Sequence, residues 1–419
     1  MIVCGLHAGG SQGSSMAEIA VLGAGMVGVA TALALQERGH DCVVIDRARP
    51  GSETSYGNAG IIQAEAVEPY ALPTSPLALL AMAGGARNAV NLHWPSLPGQ
   101  APALFGYWRS SLPGPLGRVI PLWRQLVSEA VPRHAALIEA AGAEELIRRD
   151  GYWEVHDTEP GLAAAVREAE RKGREHGVPF SVADRAGLAA AEPALRRAPA
   201  GAVHWTAPWT CLAPGGLVDA YARLFEERGG RLATGDARTL QRAGAGWQVA
   251  GMDVKIVVVA LGPWSPELLR PLGYRVPMVR KRGYHRHYGG THRLTRPMLL
   301  ADHSVVLSPM RDGLRIATAA ELSAVEPAAS PRQLARGEAA ARSFVDLGLP
   351  VEATPWSGTR PCLPGLLPLV CPAKRHAGLW FHFGHGHQGF TLGPVTAERL
   401  ARSIDGDAAA VDGLDRGVN

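Results

Sequence analysis

The chain has 419 residues, 47% of them hydrophobic, and its 42 lysines and arginines almost balance its 38 aspartates and glutamates. This length predicts about two domains, and a formal charge of +4 without a basic block argues against nucleic acid as a partner. Five cysteines without a C-x-x-C pair argue against a disulfide framework and a zinc site, and they favour a reducing cytoplasm.

The N-terminus carries no recognisable targeting signal. Residues 1–16 lack the basic start and the sustained apolar core of a secretory signal. They are predicted to form a flexible leader, with Met16 as an alternative start. No apolar run approaches the ~20 residues that a transmembrane helix requires.

The next segment predicts a strand, a helix and a second strand. The short apolar run 19–22 is typical of a buried parallel strand. Residues 26–38 predict a helix that ends at Gly39. The apolar run 42–45 predicts a second strand, which leads directly into Asp46.

Three glycines between the first strand and the helix predict a dinucleotide site. Gly23, Gly25 and Gly28 have the G-x-G-x-x-G spacing, which permits a tight turn, a close approach to a pyrophosphate, and helix–strand packing. The helix N-terminus would face the phosphates, and Asp46 would accept a hydrogen bond from the ribose. An ordinary βαβ turn is the alternative, and the motif alone does not distinguish NAD from FAD.

Further along, residues 51–63 form a polar, Gly-rich loop that would lie along the dinucleotide. Residues 64–118 are rich in Pro, Leu, Gly and Trp and predict a long packed excursion. The apolar piece 77–80 leaves a membrane-surface contact as the alternative. The remaining helices are predicted over 121–142, 162–176, 217–228, 332–347 and 391–403. The remaining strands are predicted over 151–155, 202–206, 231–234, 247–249, 254–260, 275–279, 283–288, 304–307, 314–318 and 379–383.

Five motifs carry a family resemblance. In chain order they are SETSYGNAGII at 52–62, VVVALGPWS at 257–265, RKRGYH at 280–285, SGTRPCLPGLLPLV at 357–370 and FHFGHGHQGFTLGP at 381–394. Over residues 18–405 the chain resembles the D-amino-acid oxidase superfamily of FAD-dependent oxidoreductases. Within it, the resemblance is closest to bacterial D-amino-acid dehydrogenases, including D-hydroxyproline dehydrogenases.

The resemblance implies an α/β fold with two domains. A doubly wound, Rossmann-like FAD-binding domain would comprise residues 17–95, 211–268 and 353–405. An inserted α+β cap, an antiparallel-sheet substrate domain of residues 96–210 and 269–352, would close over the flavin. The implied reaction is oxidation of a C–N bond next to a carboxylate, by hydride transfer from the α-carbon to flavin N5.

The resemblance also implies which residues hold a non-covalent FAD. The C-terminal glycine loop would bring backbone N–H groups to the flavin, with a helix N-terminus stabilising negative charge on it. Cys362 lies at a different offset from the cysteines that attach flavin in relatives, so it is predicted to be a small buried residue. The predicted cofactor-binding residues are Gly23, Gly25, Met26, Val27, Gly28, Asp46, Arg47, Ser52, Thr54, Ser55, Asn58, Gly60, Ile61, Ala260, Gly262, Trp264, Gly384, His385, Gly386, His387, Gln388, Gly389 and Thr391.

Three residues are predicted to act on the substrate. The resemblance gives Arg360 the role of clamping the carboxylate, for which a planar guanidinium is well suited. Tyr284 offers a hydroxyl, and His285 could accept a proton from the substrate ammonium. Because Tyr284 and His285 are neighbours on a strand, only one is expected to face the flavin. The alternatives are a surface salt bridge for Arg360, a structural Tyr, and a surface His.

The histidines His382, His385 and His387 also permit a metal site, but the glycines between them favour a flavin-binding loop, and no metal is predicted. Departures from relatives at His285, Ala317, Thr318 and Gly365 leave the substrate open.

The sequence thus predicts oxidative deamination of a D-amino acid or a cyclic imino acid of the D-hydroxyproline or D-proline type. Electrons would pass to a quinone-type acceptor, in the cytoplasm or peripherally on the inner membrane face. A glycine- or sarcosine-type oxidase, a non-catalytic nucleotide-binding module and an NAD-dependent dehydrogenase are the alternatives.

Overall fold

The computed structural model describes residues 18–83, 88–290, 293–324 and 331–415. The predicted leader lies outside these residues. In the described part of the chain the helices are α1 Met26–Gln36, α2 Pro76–Ala83, α3 Leu97–Ser110, α4 Pro113–Ala140, α5 Glu159–His176, α6 Arg185–Ala191, α7 Pro214–Glu227, α8 Ser265–Leu269, α9 Arg332–Phe344 and α10 Gly389–Ile404. The strands are β1 Ile19–Leu22, β2 Cys42–Asp46, β3 Ile61–Ile62, β4 Val90–Leu92, β5 Ile147–Arg148, β6 Tyr152–His156, β7 Phe180–Asp184, β8 Gly201–Trp205, β9 Trp209–Cys211, β10 Arg231–Thr234, β11 Gln241–Ala243, β12 Gly246–Val249, β13 Met252–Val254, β14 Ile256–Val259, β15 Val279–Tyr288, β16 Met298–Leu300, β17 Val305–Met310, β18 Gly313–Thr318, β19 Ala320–Leu322, β20 Trp356–Cys362, β21 Leu369–Pro372 and β22 Leu379–Phe383.

A six-stranded sheet with the order β10-β2-β1-β14-β22-β21 carries the glycine motif. Its strands pair in parallel from β10 to β22, and β21 joins the edge antiparallel. The strands β1 and β14 are apolar throughout, as expected for parallel strands covered on both faces. This sheet is the doubly wound, Rossmann-like fold that the family resemblance implied.

Helix α1 is the centre of the main core. It packs against α10 and α7, and its positions from Val29 to Leu35 are buried. Its alanines let the neighbouring helices approach closely. One buried polar link crosses this packing: Nδ1 of His382, on β22, lies 2.7 Å from the hydroxyl of Thr31 on α1.

The second large sheet has ten strands in the order β4-β19-β15-β18-β17-β16-β6-β8-β7, with β20 paired to β15. The long strand β15 is its centre, because it pairs antiparallel with β18, β19 and β20. Most pairings are antiparallel, as predicted for the substrate domain. Strands β4 and β20 belong to this sheet, although the predicted boundaries group both with the nucleotide-binding segments.

Several helices and strands have other boundaries in the structure than the sequence predicted. Helix α4 starts at Pro113 rather than 121, because Pro113 occupies the first helical turn, where a missing N–H is harmless. Within the strand predicted over 254–260, Val254 ends β13, which pairs with β12, and β14 follows, which pairs with β1 and β22. No strand covers 275–278, where β15 has not yet begun. The predicted excursion at 64–118 contains α2, β4 and α3 in its described part.

The segment from Tyr70 to Phe105 exposes large apolar side chains. Leu77 is 78% exposed and Leu80 is 69% exposed, and Trp94 and Phe105 are also exposed. None of the helices in the described ranges combines the length and apolarity that crossing a membrane would take. The cysteines of these ranges are free and buried.

Candidate active site

A cavity of about 1250 Å³ runs between the two large sheets. One end lies at the carboxyl ends of β1, β2 and β14, where open α/β sheets bind ligands. The other end is walled by β15, β18 and β20. Because pockets for small molecules are roughly 300–1,000 Å³, this cavity has room for a dinucleotide together with a small substrate.

The glycine turn builds the first end of the cavity. Gly23 has φ +111°, and a Cβ there would lie 2.6 Å from the carbonyl oxygen of Ala260. A Cβ at Gly28 would lie 1.8 Å from the carbonyl oxygen of Gly23. Helix α1 begins after Gly25 without a side-chain cap. The result is a tight backbone cradle of the kind that accepts a pyrophosphate.

Asp46 ends β2 beside this cradle. Its Oδ2 accepts from the Ala24 N–H at 2.6 Å, and its Oδ1 accepts from the Ala48 N–H at 2.9 Å. Cζ of Arg47 lies over the Trp264 ring, 4.8 Å from its centre. Asp46, Arg47 and Trp264 all line the cavity, where an adenosine would lie.

The loop after β2 is held against the second sheet by Arg315. Its Nη1 donates to the carbonyls of Tyr56 at 2.7 Å and Asn58 at 2.5 Å. Burial lowers the pKa of this guanidinium to about 10. Within the same loop, Ser55 Oγ accepts from the Met26 N–H at 3.0 Å. Arg315, which is remote in sequence, therefore fixes the loop that covers the cradle.

The loop 384–389 closes the middle of the cavity. Gly384 and Gly386 have φ of +90° and +58°, which L side chains rarely adopt. Nε2 of His382 and of His385 lie 2.8 and 2.9 Å from Thr396 Oγ1. Burial lowers the pKa of His385 to about 3. Both histidines therefore anchor this loop to α10 as neutral side chains.

Arg360 lies at the far end of the cavity. Its Nη1 donates to the Ala319 carbonyl at 2.7 Å and its Nη2 to the Thr318 carbonyl at 3.0 Å. No carboxylate of the described residues pairs with it. Burial lowers the pKa of the guanidinium, yet it stays charged at neutral pH. A guanidinium has five N–H donors, so two carbonyls orient it and leave donors for a ligand.

Tyr284 also lines the cavity and is 2% exposed. Its hydroxyl donates to Glu321, and the Glu321 carboxylate lies 3.7 Å from Arg282 Nη1. The Tyr284 N–H donates to Thr318 Oγ1 at 2.9 Å. The hydroxyl is thus engaged by a buried carboxylate.

His285, which was predicted to be a catalytic residue, does not line the cavity. It is 1% exposed, and its ring stacks on Trp356 with 4.7 Å between the ring centres. The centre of the Tyr56 ring lies 5.2 Å from that of His285. Burial, with the nearby charge of Arg315, lowers the pKa of His285 to about 2. An imidazole with that pKa is a poor base near neutral pH. The structure separates Tyr284 and His285 as strand alternation predicted.

Most of the predicted cofactor residues line one continuous cavity, which the structure assembles from four distant segments. Those in its lining are Gly23, Gly25, Met26, Val27, Asp46, Arg47, Thr54, Ser55, Asn58, Ile61, Ala260, Gly262, Trp264, Gly384, His385, Gly386, His387 and Gly389.

Gly28, Ser52 and Gly60, which were also predicted to bind the cofactor, lie outside the lining. Gly28 faces the Gly23 carbonyl and serves helix–strand packing. The Ser52 hydroxyl donates to the Arg49 carbonyl at 2.7 Å. Gly60 has φ +76°, and a Cβ there would lie 2.3 Å from the Cys211 carbonyl oxygen. Gly28 thus serves the packing of α1, whereas Ser52 and Gly60 shape the loop after β2.

Gln388 and Thr391 also lie outside the lining, and both are hydrogen-bonded to Gln63. The Gln388 Nε2 donates to Gln63 Oε1 at 2.6 Å, and Thr391 Oγ1 accepts from the Gln63 N–H at 3.2 Å. They connect the C-terminal loop to the segment after β3, and so position the cavity wall.

Sequence reasoning missed several lining residues. Gln63 and Tyr70 come from the segment after β3, Trp356 begins β20, and Lys281 lies on β15. Alternation along RKRGYH groups Lys281 with Gly283 and His285 and sets it opposite Tyr284, so the pattern did not single out Lys281. For Tyr70 and Trp356 the sequence carries no comparable signal.

Comparison with known proteins decides the family. The model of the family described as FAD dependent oxidoreductase matches residues 18–403. The chain belongs to this family. A "D-amino acid dehydrogenase" of Cereibacter sphaeroides is 32% identical to this oxidoreductase, over 96% of the chain and 94% of the relative. A "D-amino-acid oxidase" of Bradyrhizobium diazoefficiens is 27% identical, over 93% and 95%.

Solved structures have the same fold as this oxidoreductase. The iminodiacetate oxidase of a Chelativorans species superposes with a TM-score of 0.68 at 18% identity, covering 93% of this chain and 95% of that one. The glycine oxidase of Bacillus cereus superposes with a TM-score of 0.64 at 18% identity, covering 93% of this chain and 95% of that one.

FAD is the cofactor of this oxidoreductase, and the cavity fits it. The glycine cradle at Gly23 and Gly28 leaves no space for a side chain, as close approach of a pyrophosphate requires. Asp46 lies where the ribose would be. The enzyme is an FAD-dependent amine or amino-acid dehydrogenase or oxidase that acts on C–N bonds.

Proposed function

We propose that this enzyme oxidatively deaminates a D-amino acid or a cyclic imino acid of the D-hydroxyproline or D-proline type. The observation that carries the proposal is Arg360, a half-buried cation in the cavity without an acidic partner among the described residues. A buried charge without a partner is costly, so the site favours a substrate carboxylate. The printed names of the curated relatives support a D-amino acid.

The chain's own residues would bind and orient the substrate. The Arg360 fork, fixed by two backbone carbonyls, would hold the carboxylate in one orientation. Trp356 lines the same region and would exclude water around the α-carbon. FAD, when bound, supplies the hydride acceptor.

The substrate is tested by mixing purified protein anaerobically with a panel of D- and L-amino acids and imino acids while the flavin absorbance is recorded. We expect D-amino acids or cyclic D-imino acids to bleach the flavin faster than their L enantiomers. Faster bleaching by the L enantiomers would overturn the assignment, and bleaching by glycine or sarcosine alone would support the oxidase alternative.

We also propose that the FAD is held without a covalent bond. Cys362 is buried and lies outside the cavity lining, and burial raises the pKa of its thiol. Acid precipitation should therefore release the yellow colour into the supernatant. Colour that remains in the pellet would contradict this expectation.

The electron acceptor is proposed to be a quinone-type molecule, with the enzyme in the cytoplasm or peripherally on the inner membrane face. The exposed apolar segment around Leu77 and Leu80 supports contact with an apolar phase. The oxidase alternative draws on the 27% identical relative named as an oxidase. Dye reduction much faster than hydrogen peroxide formation is expected, and equal rates would favour the oxidase.

A further inference from the structure

Lys281 is a buried cation for which the proposed function has no role so far. It is 7% exposed, lies on β15, and lines the cavity. In the sheet it stands directly opposite Arg360 on β20. Residues so paired have Cβ atoms roughly 4.5–5.5 Å apart, and like charges there are destabilising. Two neighbouring cations in a buried wall need a specific reason.

The contacts of Lys281 leave most of its hydrogen-bonding capacity unused. Its Nζ donates to Tyr107 Oη at 3.2 Å and lies 4.3 Å from the centre of that ring. The Tyr107 hydroxyl donates its own hydrogen bond to the Tyr70 carbonyl at 2.5 Å. No carboxylate lies within ion-pair distance of Nζ in the described ranges. A neutral amine with two donors and one lone pair suits these surroundings better than an ammonium.

The groups around Lys281 come from four elements. Strand β20 contributes Arg360 and the neutral Cys362, and α3 contributes the neutral Tyr107. Strand β19 contributes the apolar Leu322. His387, from the loop before α10, is close enough to sense the charges of both cations. None of these groups carries a negative charge near neutral pH.

The surroundings shift the pKa values of Lys281 and His387 in the same direction, with opposite consequences for their basicity near neutral pH. Burial, with Arg360 beside it, lowers the pKa of the Lys281 ammonium from its high usual value. Burial and the same cations lower the pKa of His387 well below its usual value. A general base works best when its pKa lies near the operating pH. The same environment therefore favours Lys281 and disfavours His387.

We propose that Lys281 is the base that takes the proton from the substrate's α-ammonium group. The proposal rests on the proposed function, in which Arg360 holds the carboxylate. The α-amino group is attached to the carbon next to that carboxylate, and Lys281 is the residue of β15 directly opposite Arg360, so Nζ would be within reach of the amino group. A neutral Lys281 would accept an ammonium there, whereas a charged one would repel it.

The step balances in atoms and electrons. The lone pair of Nζ bonds the proton as an N–H bond of the substrate ammonium breaks. The freed lone pair of the substrate nitrogen forms the C=N bond as the α-hydrogen leaves with its electron pair to the flavin. The Lys281 ammonium then returns its proton to solvent before the next turnover.

Two variants separate this role from charge and from packing. Lys281→Arg keeps a cation but has no lone pair to accept a proton. Lys281→Met keeps the length of the side chain but has neither a charge nor a basic lone pair. Flavin reduction by the best substrate of the panel is followed anaerobically between pH 6 and 10. We expect both variants to reduce flavin at least about a hundredfold more slowly at pH 7.5, since general-base catalysis contributes roughly 10²–10⁴-fold. The ionisation in the wild-type profile should be absent from both.

A binding experiment gives a readout that is independent of turnover. Pyrrole-2-carboxylate, which has no basic amine, is titrated calorimetrically into FAD-loaded protein in buffers of different ionisation enthalpy. A carboxylate placed at Arg360 raises the basicity of Lys281, so the wild type should take up a proton, up to about one per ligand. Lys281→Arg and Lys281→Met should take up none. Lys255→Met, at an exposed lysine, is the matched control and should behave as the wild type.

The outcomes distinguish this proposal from the one it rests on. Wild-type rates or proton uptake in Lys281→Arg would show that Lys281 acts only as a charge, which overturns its role as base and leaves the proposed function standing. A pH profile of Lys281→Met that still contains the wild-type ionisation would likewise overturn the role of Lys281 as base and leave the proposed function standing. A wild-type flavin that no amino or imino acid reduces would overturn the proposed function and this inference together.

Discussion

Gly283 provides the space that the Arg360 guanidinium occupies. A Cβ at Gly283 would lie 2.6 Å from Nη2 of Arg360, and the two residues are on neighbouring strands. The position of the guanidinium is therefore set by a missing side chain as well as by the two carbonyls that accept its hydrogen bonds. Substitutions at either residue should act on substrate binding rather than on FAD.

Arg360→Ala should lower kcat/KM by about 3 kcal/mol, or on the order of a hundredfold, because two charge-assisted hydrogen bonds of roughly 1.5–3 kcal/mol each would be lost. Part of the loss should appear in kcat, since the reacting geometry loosens. Arg360→Lys should restore activity only partly. Steady-state kinetics and FAD absorbance measure both effects.

Arg311→Ala is the matched control for Arg360, because Arg311 is exposed and paired with Glu145. It should keep wild-type kinetics. An Arg360→Ala enzyme with normal FAD and unchanged kcat/KM would show that another residue clamps the carboxylate. Arg282, Arg286 and Arg315 on the neighbouring strands would then be tested.

At the scale of elements, the packing of α1 on β1 and β14 decides whether the dinucleotide cradle forms. A Cβ at Gly28 would meet the Gly23 carbonyl at 1.8 Å, which only a shift of the helix could relieve. Overpacking of this kind costs about 1–3 kcal/mol, and the shift would also displace the backbone that contacts the pyrophosphate.

Gly28→Ala should therefore yield protein with little FAD and a lower Tm. The ratio of flavin to protein absorbance and a thermal melt measure these effects. Gly99→Ala is the matched control, since nothing lies within 4 Å of a Cβ there. A helical Gly→Ala change at an open site is neutral to stabilising by up to about 1 kcal/mol. Normal FAD content in Gly28→Ala would contradict the assignment of the cradle.

The histidines that connect β22 and the following loop to α10 should make stability depend on pH. Burial lowers the pKa of His385 from 6.5 to about 3, so the unfolded chain binds its proton more readily than the folded chain. The stability that this neutral histidine contributes is complete above pH 6.5 and decreases as the pH falls toward 3. The slope is up to about 1.4 kcal/mol per pH unit for one histidine.

His385→Asn tests this dependence, because Asn keeps a polar side chain but does not titrate. Urea unfolding of wild type and variant is compared at pH 7.5 and pH 5. The difference in the free energy of unfolding between wild type and variant should be about 2 kcal/mol smaller at pH 5 than at pH 7.5. Equal differences at both pH values would show that His385 does not govern the acid sensitivity.

At the scale of the whole molecule, the segment from Tyr70 to Phe105 has two faces. Tyr70 and Val90 line the cavity, while Leu77 and Leu80 of α2 are turned to solvent. One segment thus joins the cavity wall to an exposed apolar surface. Contact of this surface with a lipid bilayer would bring the cavity wall close to a membrane-dissolved electron acceptor.

Replacing Leu77 and Leu80 together by Asp should weaken binding to phospholipid vesicles at least about tenfold, since a buried Leu contributes roughly 1.5–3 kcal/mol. Cosedimentation with vesicles measures the binding, and dye-linked activity should stay unchanged. Leu349→Asp, at an equally exposed leucine outside the segment, is the matched control. Equal binding of all three proteins would exclude this surface.

The sequence by itself determined the elements whose signals are local. The glycine spacing, the apolar run before it and Asp46 after it predicted β1, α1 and β2, because a βαβ turn is specified by adjacent residues. Arg360 and the loop 384–389 were also predicted as part of the site, from the family motifs, and both line the cavity.

Only the tertiary structure decided which side chains of β15 face the cavity. Trp356 covers His285, and the pairing of β15 with β20 places Lys281 opposite Arg360. Likewise, Gln388 is hydrogen-bonded to Gln63 and does not line the cavity. These outcomes depend on strand register and on burial between segments far apart in the chain. A local pattern of residue types gives the alternation of a strand, but it does not specify the partner that covers each face.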